Sequence, residues 1–178
     1  MLIHLSFSVL LLLLPLNRPE ARQDSIATEE YTVYSALINS RFLRRQTNLA
    51  VIQARTEFDE RRIVIPQEFE DDLLPKLESS YTLDRRFRLR VKYLLLSNEG
   101  LDEFRKDLDK AWELYWKQYP KATGLLTLSR VGFNRSRTRA FVYASEGCGS
   151  LCGHGYSFVL EKVGDVWKLK EEKQLWIA

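Results

Sequence analysis

The residues able to do chemistry gather in one short segment. Glu146-Gly147-Cys148-Gly149-Ser150-Leu151-Cys152-Gly153-His154-Gly155 holds both cysteines, one of the two histidines and four of the eight glycines. Three chemistries compete for it. Two cysteines separated by three residues, in a loop joining adjacent strands, can bridge once their Cα atoms come within about 7 Å, and export to an oxidising compartment favours the bridge. A Cys148–Cys152 disulfide is therefore expected, contributing about 2 kcal/mol by chain entropy because its loop is short. Cys148, Cys152 and His154, with Glu146 nearby, also have the ligand types of a zinc site. A C-x3-C-x-H spacing leaves the fourth ligand unfilled, however, and the other histidine is His4, so no metal and no cofactor is expected. Cys152 and His154, two apart on a strand, would face the same way as a nucleophile and base must. No third group is at hand to orient the imidazole, and no catalytic residue is assigned. Phosphate-cradling loops, GxSxG elbows, HExxH helices and paired CxxC motifs are all absent.

A second candidate is the basic stripe Arg86, Arg88, Arg90 and Lys92, alternating with Phe87, Leu89, Val91, Tyr93 and Leu95. Such a stripe can meet a polyanion or cell-surface polymer, with Arg135, Arg137 and Arg139 as possible additions. It can equally be a solvated strand face, covered by Glu68, Glu70, Asp71 and Asp72. The formal charge is only +3, which gives little long-range steering, and nucleic acid is not among the expected partners. A third candidate is the aromatic face Trp112, Tyr115, Trp116, Tyr119, which is either core or one wall of a pocket completed by Tyr143, Ser129 or Arg130. Asn134-Arg135-Ser136 matches a glycosylation sequon, and a turn-forming Asn accounts for it equally well.

The elements that must position these groups follow from periodicity. Tyr31, Tyr34, Leu37, Ile38 and Phe42 keep helical spacing within Ile26–Leu43, with Glu29 and Glu30 in the first turn. Leu49–Thr56 reads as a strand, Arg61–Pro66 as a short extended piece and Glu68–Leu77 as an acidic helix interrupted by Pro75. The two-residue period of Arg86–Leu96 predicts a strand. Ser97 then caps a long helix running through Leu101, Phe104, Leu108, Trp112, Tyr115, Trp116 and Tyr119 until Pro120 stops it. Strands follow at 125–133, 139–145, 156–163 and 166–177. They are joined by a turn at Asn134-Arg135-Ser136-Arg137 and by a tight hairpin at Gly164-Asp165, which sets Lys162 opposite Trp167, Leu160 opposite Leu169 and Phe158 opposite Glu171. The expected fold is α+β, a curved antiparallel sheet ending in a four-strand meander, with the aromatic-rich helix and the N-terminal helix on one side.

The chain has 178 residues, 45% hydrophobic and 29% charged, with 12% aromatics and only 8 Gly and 5 Pro. That composition excludes long disordered, collagenous or low-complexity segments, and this length buries enough surface for one core. No linker or repeat divides it, so residues 26–178 are expected to form one domain. Leu5–Leu16 is an apolar stretch of signal-peptide length, too short to span a bilayer. Residues 1–21 are read as a signal peptide, although no Lys or Arg precedes the stretch and no small-x-small cleavage site follows. Export to the periplasm or outside the cell is expected, with an uncleaved N-terminal anchor as the alternative. Cleavage removes Arg18 and Glu20, one charge of each sign, so the net charge stays at +3.

Leu128-Ser129-Arg130-Val131-Gly132-Phe133-Asn134, then Ala140-Phe141-Val142-Tyr143, then Leu151-Cys152-Gly153-His154-Gly155-Tyr156 and Trp167 resemble a group of uncharacterised bacterial secreted proteins. In that group an SRVGFN strand is followed by an AxVY strand, a Gly-rich loop and a closing strand with Trp. The resemblance implies secretion and carries no activity, so it transfers no catalytic residue. The element order is also similar to the cystatin-like and NTF2-like cone folds, an analogy of fold that supplies no function. The function expected is a non-catalytic binding or interaction module for an unknown protein or small-molecule ligand. The alternatives are a small enzyme or thiol-metal site at Glu146, Cys148, Cys152 and His154, and a polyanion binder through Arg86, Arg88 and Arg90.

Overall fold

The structure, a computed structural model, describes residues 26–59 and 63–178. The expected signal peptide at 1–21 lies outside the described residues, as do Arg61 and Arg62 of the expected extended piece. Helix α1 (Thr28–Leu37) continues into one π-helical turn (Ile38–Phe42), closed by Leu43 N–H donating to the Ile38 carbonyl at 3.1 Å. The wider turn takes up an extra residue, so Tyr34, Leu37, Ile38, Phe42 and Leu43 are all buried. There follow β1 (Leu49–Gln53), α2 (Gln67–Leu77), β2 (Lys92–Leu96), α3 (Asn98–Arg105), α4 (Leu108–Gln118), β3 (Ala122–Leu128), β4 (Gly132–Phe133), β5 (Arg139–Gly149), β6 (Cys152–Val163) and β7 (Val166–Ile177). They form one seven-stranded sheet in the order β2-β1-β3-β5-β6-β7, with β4 pairing β5. The fold is α+β. The sheet is mixed, since β1 runs parallel to β2 and β3, and it ends in the antiparallel meander β5-β6-β7.

Along β5 every residue from Ala140 to Ala144 is buried, so both faces of the sheet need a cover. On one side Ala140, Val142 and Ala144 join Ile52, Leu126, Leu128, Phe158 and Leu160 beneath α1. On the other, Phe141, Tyr143 and Val159 pack against Phe69 and Leu73 of α2. Helices therefore lie on both faces, not on one as the element order suggested. Pro75 does not interrupt α2, because it stands in the last turn, where its missing N–H and the clash with the preceding turn cost little further helix.

The expected strand Arg86–Leu96 is a strand only over Lys92–Leu96, parallel to β1. Upstream, the chain keeps its alternating burial but takes its hydrogen bonds from α1 and its π-turn. Ser35 Oγ accepts from Arg88 N–H at 2.9 Å, while Asn39 accepts from Arg90 N–H and donates to the Arg88 carbonyl, both at 2.9 Å. The expected long aromatic helix is two helices. Ser97 Oγ caps α3, accepting from Gly100 N–H, and Asp107 Oδ1 caps α4 by accepting from Lys110 N–H at 3.1 Å, so the second cap restarts the helix. In the last hairpin Gly164 takes φ +61°, the left-handed conformation that glycine adopts freely. Lys162 faces Trp167 and Leu160 faces Leu169 as the turn requires, but a bulge after Val159 places Phe158 opposite Glu172 instead of Glu171. Asn134 serves the turn, its Oδ1 accepting from both Thr138 and Arg139 N–H.

One polar cluster crosses this core. Glu30, fully buried on α1, accepts two hydrogen bonds from Arg130, Nε to Oε2 at 2.9 Å and Nη2 to Oε1 at 2.7 Å. It takes a third from Val131 N–H at 3.0 Å, while Lys76 Nζ stands 3.7 Å away. Tyr34 donates to the Ser129 carbonyl at 2.7 Å, and the Arg130 guanidinium lies 4.0 Å over the Tyr81 ring. The pair is bidentate and Glu30 has a third donor, the condition under which buried ions are tolerated, while the buried Arg130 Nη1 has no hydrogen-bond partner among the described residues. Replacing Glu30 leaves the Arg130 guanidinium without its counter-charge, and replacing Arg130 leaves Glu30 only the longer Lys76 contact at 3.7 Å. Glu30→Gln and Arg130→Met are each expected to lower urea-unfolding stability by about 3–5 kcal/mol, and the double variant by less than the two together. Additive losses, or single variants as stable as the parent, would show that the pair does not couple.

Candidate functional site

The segment singled out by its chemistry forms the β5–β6 turn. Glu146 sits directly across from His154, Gly147 from Gly153 and Gly149 from Cys152, with Cys148 at the bulge between them. Cys148 and Cys152 stand at disulfide distance, Cα atoms 5.0 Å apart. Glu146, Cys148, Cys152 and His154 all line one cleft of about 280 Å³, together with Phe42, Arg44, Thr47, Trp116, Thr123 and Gly124.

Each wall has a local cause. Glu146 Oε1 accepts from Gly124 N–H at 3.0 Å, and a Cβ on residue 124 would fall 2.1 Å from the Gly147 carbonyl oxygen; glycine alone lets β3 approach β5 here. Trp116 Nε1 donates to the Cys148 carbonyl at 3.1 Å, which fastens α4 to the turn. Tyr115, 1% exposed, donates to the Thr123 carbonyl at 2.6 Å and sits edge-on to Trp116 at 4.9 Å. Burial first, then the nearby Glu146 charge, pushes its phenol well above the ordinary tyrosine range. The aromatic helix face is thus divided: Tyr115 is core and Trp116 lines the cleft. Tyr143, Ser129 and Arg130 do not complete a pocket with it. Ser129 and Arg130 belong to the Glu30 cluster, and Tyr143 accepts from Trp176 Nε1 at 3.1 Å.

The cysteine sulfurs and a His154 ring nitrogen lie within 4.8 Å of one another. The two sulfurs are also at bonding distance to each other, and a disulfide leaves neither a thiolate pair for a metal nor a free nucleophile for His154. His154 Nδ1 is buried and without a hydrogen-bond partner among the described residues. Arg44 and Thr47 escape a reading of linear spacing, because the parallel pairing of β1 with β3 carries them to residues 122–124 from far away in sequence.

The basic stripe is dispersed. Arg90 donates to the Leu43 carbonyl. Arg86 donates to the Ile26 carbonyl at 2.7 Å and to Asp84 at 2.9 Å. Arg88 and Lys92 stay exposed. The acidic helix does not cover them. Glu68 pairs with Arg139 and Asp72 with Lys76 and Phe133 N–H, on the opposite face of the sheet. Arg137 and Arg139 are taken up by Glu29 and Glu171 and do not extend the stripe. No helix among the described residues is long and apolar enough to cross a membrane. Comparison with protein-family models, with curated proteins and with solved structures finds no match.

The buried tyrosines give this region a pH signature. Tyr34 is also held well above the ordinary range, by burial and then by the Glu30 charge. A tyrosine whose folded pKa exceeds its unfolded value of about 10 keeps a proton that the unfolded chain has lost above that pH. The unfolded state then binds fewer protons, so stability falls as pH rises past about 10. Urea midpoints measured at about pH 8 and about pH 11 should show this loss, and Tyr115→Phe should reduce it. A Tyr115→Phe profile parallel to the parent's would contradict the burial argument.

Proposed function

We propose that the protein is an exported, non-catalytic binding module that holds a small ligand in the cleft at the β5–β6 turn. The observation that carries this reading is the convergence of Glu146, His154, Arg44 and Trp116 on one cleft whose two cysteines stand at disulfide distance. The cleft offers an aromatic wall, a cation, a carboxylate and an imidazole, the mix of apolar surface and few polar groups typical of ligand sites. At about 280 Å³ it suits a ligand at the small end of that class. In this reading the cysteines are paired and the cleft holds no free thiol for His154 to activate. The apolar stretch Leu5–Leu16 and the resemblance to bacterial secreted proteins support export to the periplasm or beyond, where a disulfide persists. In this reading residues 1–21 are removed; an uncleaved anchor is the alternative.

The competing reading, a thiol-metal or cysteine enzyme at the same four residues, needs reduced, accessible thiols. The two separate on alkylation. Native protein exposed to iodoacetamide without reductant is expected to take up no label, and Cys148→Ser with Cys152→Ser is expected to stay folded at a cost of about 2 kcal/mol. Stoichiometric labelling of Cys152 in the native protein would overturn the binding-module reading in favour of the thiol site.

A further inference from the structure

A second concavity lies at the other end of α1, apart from the cleft and independent of its reading. It encloses about 390 Å³ and is lined by Thr28, Tyr31, Thr32, Arg85, Arg86, Phe87 and Arg88. Three guanidinium groups share it, and no carboxylate does. Arg85 and Arg88 are exposed and make no ion pair among the described residues. Arg86 is held in place: its guanidinium lies 4.3 Å over the Tyr31 ring and Nη2 is bonded to the Ile26 carbonyl and Asp84, yet its buried Nε has no acceptor.

Thr28 opens the ten-residue helix α1, whose N-cap, Ala27, supplies no capping side chain. Thr28, Tyr31 and Thr32 form the flank of the first turns of α1 along which the three arginines are set. The two acidic side chains of that first turn are engaged elsewhere, Glu29 with Arg137 and Lys162 and Glu30 with Arg130.

We propose that this concavity binds a tetrahedral oxyanion, either inorganic phosphate or the phosphomonoester end of a larger ligand. Arg85 and Arg88 would close on it from the rim, while the stacked Arg86 forms the fixed wall. Three cationic forks around one concavity supply more donors than a planar carboxylate can accept, and they match the spread of oxygens on a phosphate. The linear stripe on the sequence thus becomes a discrete site. Arg90 and Lys92 drop out, and Arg85, out of phase with the alternation, enters.

Titration of the exported protein with inorganic phosphate and with methyl phosphate, by calorimetry at constant ionic strength with chloride as the balancing anion, tests the site. Saturable binding is expected, weakened at least about fivefold by Arg85→Ala or Arg88→Ala and lost in the double variant, because each removes a charge-assisted contact. Both side chains are exposed, so circular dichroism should report an unchanged fold. Arg135→Ala, which removes an equal charge from an exposed turn, should leave the affinity unaltered. Binding of phosphate but not methyl phosphate would define a site for the free ion; binding of both would define one for the ester end. No saturable binding of either probe, or an equal loss in Arg135→Ala, would overturn the proposal.

Discussion

The buried pair Glu30–Arg130 is the constraint on which the arrangement rests. It joins the first turn of α1 to the corner between β3 and β4, residues a hundred positions apart, and every bond around it is made by a neighbour that is itself tied down. Val131 N–H, the Tyr34 hydroxyl and Lys76 bring in the corner, the helix and α2 in turn. Lys76 donates to the Val131 carbonyl and pairs with Asp72, which accepts from Phe133 N–H, so the helix on the far face is fastened to the same corner. A carboxylate in this position can exist only if the sheet, α1 and α2 assemble together. Apolar packing gives the fold its stability, while the ion pair specifies which helix turn meets which strand end.

Fastening α1 at its first turn also sets what lies at its two ends. Along its first turns Thr28, Tyr31 and Thr32 share a concavity with Arg85, Arg86 and Arg88. At the C-terminus the π-helical turn brings Phe42, and after it Arg44 and Thr47, to the wall of the cleft beside the β5–β6 turn. The cleft is closed from the other side by Trp116, whose helix is capped anew at Asp107. Both concavities therefore combine one end of α1 with chain from a distant part of the sequence.

That geometry explains how far residues alone could be read. Local rules worked where the cause was local: the Ser97 cap, the Gly164 hairpin, the Asn134 turn and the alternation that buries Phe87 while exposing Arg88. They failed where a distant partner decided the outcome. Residues 86–91 have strand periodicity, yet Ser35 and Asn39 supply the hydrogen bonds that a neighbouring strand would have made. The acidic helix α2 was expected to cover the basic stripe, yet Phe69 and Leu73 turn it onto Phe141 and Tyr143 on the opposite face of the sheet. Glu30 looked like an ordinary acidic residue of a first helical turn, and nothing in its neighbourhood along the chain announces Arg130. In the cleft, Glu146, Cys148, Cys152 and His154 were legible because they are consecutive on one hairpin. Arg44 and Thr47 were not, because a parallel strand pairing delivers them.

Native-state hydrogen exchange of the parent and of Glu30→Gln tests most directly whether α1 is held by this pair. The amides of α1, of its π-helical turn and of Thr47, whose N–H bonds the Arg44 carbonyl, should lose protection together in the variant. Those of the β5-β6-β7 meander should keep theirs, because a local opening exposes only the unit that was fastened. Unchanged protection of α1, or a uniform loss across helix and meander alike, would contradict the account.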